Sequence, residues 1–396
     1  MDMIIRKQRM SVNRIILSVL TAAFAALLYS CGISGNIRIS SYFKKTGIEN
    51  WENSGGSSSR NNYRSTEMNP PLEKVWETKI SSAPNEVVVA SDQVVYTGTL
   101  DGRIYAFDIQ KGGTIGSLKF LYAATNGLSV RHQTAIIALA SGKEALVSYN
   151  VYDNDYNFIK PMPGIETNPL IVEDYIYLAD QYNKFYSLNF KDGATLWIYE
   201  TPKPVRSSPS VSGTAVFFGC DDGTIYALNR FNGRVNWTFK TGSAIYAAPV
   251  LDDQNVYIGS TDSTFYAINL KEGTLRWKYK IGTAAPGKFF SSAAVNKDKV
   301  IVGATDGFVY AFTKKDGELA WKFQTQSAIS SAPVITKNFV YVGSQDSYLY
   351  AIDLETGKSN WSFKTAGRIK SNMALYGEYL VVASEAKNVY AFRTSK

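Results

Sequence analysis

The chain has 396 residues, 45% of them hydrophobic, enough to bury a large core, and carries a formal charge of +8. Arg6, Lys7, Arg9, Arg14 and Asp2 supply +3 of that charge. Elsewhere basic residues are interleaved with acidic ones, with no run resembling a nucleic-acid arm or a polybasic membrane patch, so nucleic-acid binding is not expected.

The N-terminus reads as an export signal. A basic stretch from Arg6 to Arg14 precedes an uncharged, mostly apolar run from Ile15 to Tyr29, followed by Ser30-Cys31-Gly32. That layout predicts a signal peptide over 1–30, because the apolar run is short for a membrane span. Leu28-Tyr29-Ser30-Cys31 resembles the bacterial lipobox, although Tyr29 stands where a small residue is usual. The resemblance implies lipid on Cys31 and a secreted protein anchored to a membrane. Cys220 then has no partner for a disulfide and is expected to be a small buried residue within a strand.

Residues 31–70 hold Ser-Gly-Gly-Ser-Ser-Ser at 54–59 and little periodic hydrophobicity. They are expected to serve as lipid attachment and linker, spanning on the order of 35 Å if flexible, and removal of residues 32–68 is expected to leave the body largely intact. Trp51 and Tyr63 are the residues of this stretch most suited to pack on the body.

From residue 71 onward one unit repeats. Tyr-Ala-apolar-Asp/Asn occurs at Tyr105-Ala106-Phe107-Asp108, Tyr226-Ala227-Leu228-Asn229, Tyr266-Ala267-Ile268-Asn269 and Tyr350-Ala351-Ile352-Asp353. Weaker copies centre on Val147, Tyr186, Tyr310 and Tyr390, so the eight units are 39 to 44 residues apart. Within each unit alternating segments flank tight turns such as Asp222-Gly223, and a glycine precedes a tryptophan strand. Four strands in about 40 residues make one propeller blade, and the prediction is an all-β, eight-bladed β-propeller over 71–396.

The tryptophans predict how the ring closes. Trp197, Trp237, Trp277, Trp321 and Trp361 each follow their unit's Tyr position by 11 residues, whereas the last unit ends at Lys396, too early for one. Trp76 precedes Tyr105 by 29 residues, the spacing from Trp197 to Tyr226. The strand around Trp76 should therefore complete the C-terminal blade. Phe158 holds the tryptophan position of the second unit and Gly116 that of the first. A residue repeated at one place in every unit serves packing between units.

The phrase tyrosine-alanine-leucine-aspartate, then glycine, then tryptophan, resembles the PQQ-like propeller repeat over about 71–396. With the lipobox, the whole chain resembles the BamB family of propeller lipoproteins in the outer-membrane β-barrel assembly machinery. That resemblance implies a non-enzymatic scaffold for envelope or outer-membrane proteins, held at the outer membrane and facing the periplasm, with no cofactor. Two alternatives stay open: a quinoprotein dehydrogenase, which would hold pyrroloquinoline quinone and calcium in the central pocket, and a ligand-sensing module. The adjacent cysteine pair of many such dehydrogenases is missing.

Catalytic material is sparse. His132 is the only histidine, which leaves no His cluster for a metal, and it reads as a strand or loop residue. Asp101, Asp222, Asp262, Asp306 and Asp346 occupy tight turns that favour aspartate for backbone reasons, so no metal is expected. Recognition is better sought where residues vary at one fixed place. Twenty residues before the Tyr position stand Asn85, Gly127, Glu166, Arg206, Tyr246, Phe290, Ser330 and Lys370. At the entry to the innermost strand they should surround one mouth of the channel.

Overall fold

Alternation and turn chemistry produce the same four strands in each unit. In blade 4, Ser210–Ser212, Ala215–Gly219, Thr224–Asn229 and Val235–Lys240 pair in sequence order as an antiparallel sheet. The middle strands are buried on both faces because neighbouring blades cover them. The outer strand alternates, with Trp237 and Phe239 turned inward and Asn236, Thr238 and Lys240 to solvent.

The computed structural model describes residues 33–39, 47–124, 127–142, 144–282 and 287–395. They form eight such sheets, the blades of a closed propeller. The signal region 1–30 and Cys31 lie outside the described residues. Among the described residues no helix is long and apolar enough to cross a membrane.

Each inner strand runs away from the mouth face, which carries the turns between second and third strands and the loops between blades. The opposite, floor face carries the remaining turns.

The turn aspartates serve their own blades. Asp222 accepts a hydrogen bond from the Thr224 amide (2.7 Å) and another from the Tyr226 hydroxyl (2.9 Å). The Asp262–Tyr266 and Asp306–Tyr310 bonds are both 2.6 Å and Asp346–Tyr350 is 2.9 Å. Burial, and then the bond to Asp262, push the Tyr266 hydroxyl up to about 12, so it stays a donor. Gly223 takes φ +84° beside Asp222, which a glycine adopts without strain.

Tryptophans couple successive blades. Trp197 Nε1 donates to the Arg230 carbonyl (3.0 Å), Trp237 to Leu270 (3.1 Å), Trp277 to Lys314 (3.1 Å) and Trp321 to Leu354 (3.0 Å), each in the next blade. The indole lies flat on a glycine there. A Cβ on Gly273 would come within 2.6 Å of the Trp237 ring.

The ring closes as the spacing predicts. Leu72–Lys79 pairs with Asn388–Thr394 in the C-terminal blade, with Trp76 opposite Ala391 as Trp237 is opposite Ala227. Trp76 Nε1 reaches the Ile109 carbonyl of blade 1 at 2.7 Å, over Gly112. Gly116 holds the tryptophan position of blade 1, opposite Ala106. The additional strand Ser34–Asn36 pairs with Thr114–Lys119 and makes blade 1 five-stranded. A Cβ on Gly116 would lie 2.4 Å from the Asn36 carbonyl oxygen, so a tryptophan there is incompatible with that strand. Cys220 is buried as expected, but it follows strand Ala215–Gly219 in place of lying within it. Burial pushes its thiol up to about 11.

The expected linker is corrected over much of 47–70, because this stretch packs inside the propeller. Trp51 is 0% exposed and pairs through its backbone with Ala90 of blade 1. The chain then circles the channel axis at the floor. The Val130 amide bonds to the Glu52 carbonyl, Val211 to Ser58, Leu251 to Ser59, Val295 to Asn61 and Ile335 to Asn62. Ile171 bonds to the Asn53 side chain, so seven successive blades are engaged. Arg64 returns to the start of the loop, donating to the Asn50 carbonyl (3.1 Å) and pairing with Glu49 (3.1 Å). Composition misled here because glycine, serine and asparagine also suit a tightly curled backbone. Gly55 and Gly56 take φ +89° and +80°, and Arg60 and Asn62 also lie in the left-handed region.

Candidate functional site

A wedge in each blade-to-blade loop decides which side chains face the mouth. Ile245, Phe289, Ile329 and Ile369 are buried against Gly219, Gly259, Gly303 and Gly343 of the preceding blades. A Cβ on any of these glycines would come within 2.3 Å of its wedge. The residue after Ile245, Phe289 and Ile329 lines the central cavity, whereas the one after Ile369 lies in an adjoining cleft. These residues are Tyr246, Phe290, Ser330 and Lys370.

Glu166, Arg206, Tyr246, Phe290 and Ser330 line one central cavity. Four form a continuous arc across neighbouring blades. Arg206 pairs with Asp221 and lies 4.0 Å from Glu166. Its guanidinium sits 5.8 Å from the centre of the Tyr246 ring, and Tyr246 stacks on Phe290 at 5.5 Å and 14°. Burial raises the Asp221 carboxyl pKa, and the Arg206 charge opposes that rise. The arc offers a held cation beside the half-buried Tyr246 and the exposed Phe290, a combination suited to protein contact.

The other ring members fall elsewhere. Lys370 lies in an adjoining cleft and pairs with Glu385 at 2.7 Å. Gly127 takes φ +95°, and a Cβ there would lie 2.2 Å from Asn168 Oδ1, so this position is fixed by packing. Asn85 is a correction: it is buried, with its amide donating to the Ala124 carbonyl at 2.8 Å. The inner strand of blade 1 shifts register between Pro84 and Val88, which places Glu86 at the channel. Glu86 touches solvent yet is ringed by protein, and this enclosure raises its carboxyl pKa while Lys370 opposes the shift. Sequence reasoning missed Glu86 because fixed spacing cannot register a bulge.

It also missed the channel's floor. Arg60, 2% exposed, donates to the carbonyls of Pro209 (2.6 Å), Ser54 (2.6 Å) and Asn168 (3.5 Å). Burial lowers its pKa to about 9, which leaves it protonated at neutral pH. Above it the cavity measures about 70 Å3. A wider depression of about 610 Å3 lies on the floor face. Most of its charged groups already have partners: Arg230 pairs with Glu173 at 2.7 Å, Asp252 with Lys314 at 3.1 Å and Lys297 with Asp298 at 3.6 Å.

Residues 164–396 match the family model described as Beta-alanine-activating enzyme, beta-propeller. The chain belongs to that β-propeller family. The match to the Beta-alanine-activating enzyme β-propeller covers blades 3 to 7 and the three C-terminal strands of blade 8, the more regular part of the ring. No curated protein matches the chain. Among solved structures it is similar to BamB from Moraxella catarrhalis, at 19% identity and TM-score 0.70, over 81% of this chain and 99% of that one. A quinohemoprotein alcohol dehydrogenase from Pseudomonas putida HK5 matches at 14% and 0.75, over 88% and 81%. A europium-containing methanol dehydrogenase matches at 12% and 0.73, over 87% and 98%. At these identities the likeness carries the fold alone.

The residues present do not fit a central quinone. Pockets for ligands of that size run to roughly 300 Å3 or more, whereas this channel has about 70 Å3 above Arg60. Among the described residues no three His, Cys, Asp or Glu groups converge as metal ligands.

Proposed function

We propose that this chain is a non-catalytic, lipid-anchored propeller that binds envelope proteins at its mouth, as a scaffold in outer-membrane β-barrel assembly. The observation that carries this reading is the arc of Glu166, Arg206, Tyr246 and Phe290 above a channel closed from below by Arg60. A blind, narrow channel favours recognition of a surface over enclosure of a small substrate. The likeness to BamB and the lipobox-like start support a place at the outer membrane, facing the periplasm. Gly32 after Cys31 is compatible with that sorting. A quinoprotein dehydrogenase, the other activity met with this repeat, is disfavoured by a channel of about 70 Å3.

Photocrosslinking in native membranes tests the scaffold. A photoreactive residue at Tyr246 is expected to capture a β-barrel assembly protein, and one at Phe231 on the floor face is not. Capture from position 231 with none from 246 would place recognition on the wrong face and defeat the proposal.

A further inference from the structure

Three large apolar side chains stand out on the mouth face of blade 1. Leu100 is 51% exposed, Leu121 70% and Tyr122 38%. They belong to adjoining turns, because a Cβ on Gly102, two residues after Leu100, would lie 2.3 Å from the Tyr122 carbonyl oxygen. A cluster of exposed apolar residues marks a contact surface.

The N-terminal strand indicates what covers it. Ser34 pairs with Lys119, two residues before Leu121. Cys31 stands three residues before Ser34, a reach of at most about 11 Å. Lipid on Cys31 would therefore enter a bilayer close to Leu121, without the long tether that a flexible 31–70 would provide. Basic groups stand nearby, and the acidic neighbour of Leu100, Asp101, is paired with Lys119 at 3.4 Å. Lys79 and Lys387 are both exposed, and the Ile80 amide next to Lys79 bonds to the Lys387 carbonyl (2.9 Å). Ser81 of the same stretch donates to Asp101, the neighbour of Leu100, at 2.9 Å. Basic groups beside an apolar tip suit anionic headgroups, and tyrosine suits the boundary between headgroups and acyl chains.

We propose that the Leu100, Leu121 and Tyr122 tip of blade 1 dips into the lipid surface that holds Cys31, turning the mouth toward the membrane. The proposal rests on the reading of Cys31 as the lipid-bearing residue. It deepens the scaffold reading, since a mouth so turned would meet a membrane-embedded partner.

The test uses the full lipidated chain in vesicles of phosphatidylethanolamine and phosphatidylglycerol. L121C and F231C each carry a small fluorophore, and brominated acyl chains serve as quencher. Quenching at 121 is expected to exceed that at 231 several-fold. Equal quenching at the two positions, in protein that sediments with the vesicles and has an acylated Cys31 peptide, overturns the proposal alone. Protection of the 121 probe in native membranes but not in these vesicles assigns the tip to a protein partner and overturns it too. An unmodified Cys31 peptide overturns the anchoring reading and this proposal with it.

Discussion

Trp51→Ala is expected to destabilise the propeller by about 3–5 kcal/mol, although residue 51 lies in a stretch whose composition reads as linker. The indole is fully buried in the cluster that joins blades 7, 8 and 1, lies against Gly56, and has the Arg64 guanidinium 4.9 Å from its ring centre. Truncation leaves a cavity at the point where the channel loop begins. For a body of this size the loss corresponds to a fall in Tm on the order of 5 °C. Loosening should spread along the loop, so the amides of Val211, Leu251, Val295 and Ile335, bonded to it in the parent, should exchange faster with deuterium. Thermal unfolding and residue-resolved exchange check both parts. A variant that melts like the parent with unchanged protection at these amides would show that the loop is not part of the folded body.

The second large effect is expected at ring closure. Trp76→Ala removes an indole that is 7% exposed, the 2.7 Å bond to the Ile109 carbonyl and the cover over Gly112. The cost is again about 3–5 kcal/mol, and it falls on the seam between the two chain ends. A weakened seam frees the edge of Asn388–Thr394 and exposes the faces of blades 8 and 1 together. Val235→Ala, on the half-exposed outer strand of blade 4, should melt close to the parent. Equal melting of the two variants would contradict closure through this strand.

The propeller was legible because its determinants are local and repeated. Tyr226, Asp222, Gly233 and Trp237 act within one unit or on the next, so their spacing states their contacts. Trp76 could be placed by the same spacing despite being more than 300 residues from Tyr390. Part of the mouth was legible for the same reason, since Tyr246, Phe290 and Ser330 follow wedges of fixed position. Three features escaped. Glu86 replaces Asn85 through a register shift, which one residue of slippage makes invisible to counting. The floor loop has no period of its own, because it meets a different blade at nearly every step and satisfies its backbone against the inner strands. The strand Ser34–Asn36 is too short to show alternation, and its trace in the sequence is the glycine at position 116.

Calorimetric titration of pyrroloquinoline quinone with calcium into the purified protein separates a binding propeller from a quinone enzyme, because a channel closed by Arg60 leaves no room for the quinone. No saturable heat and no dye-linked dehydrogenase activity are predicted. Stoichiometric binding accompanied by such activity would contradict both the closed channel and the non-catalytic reading.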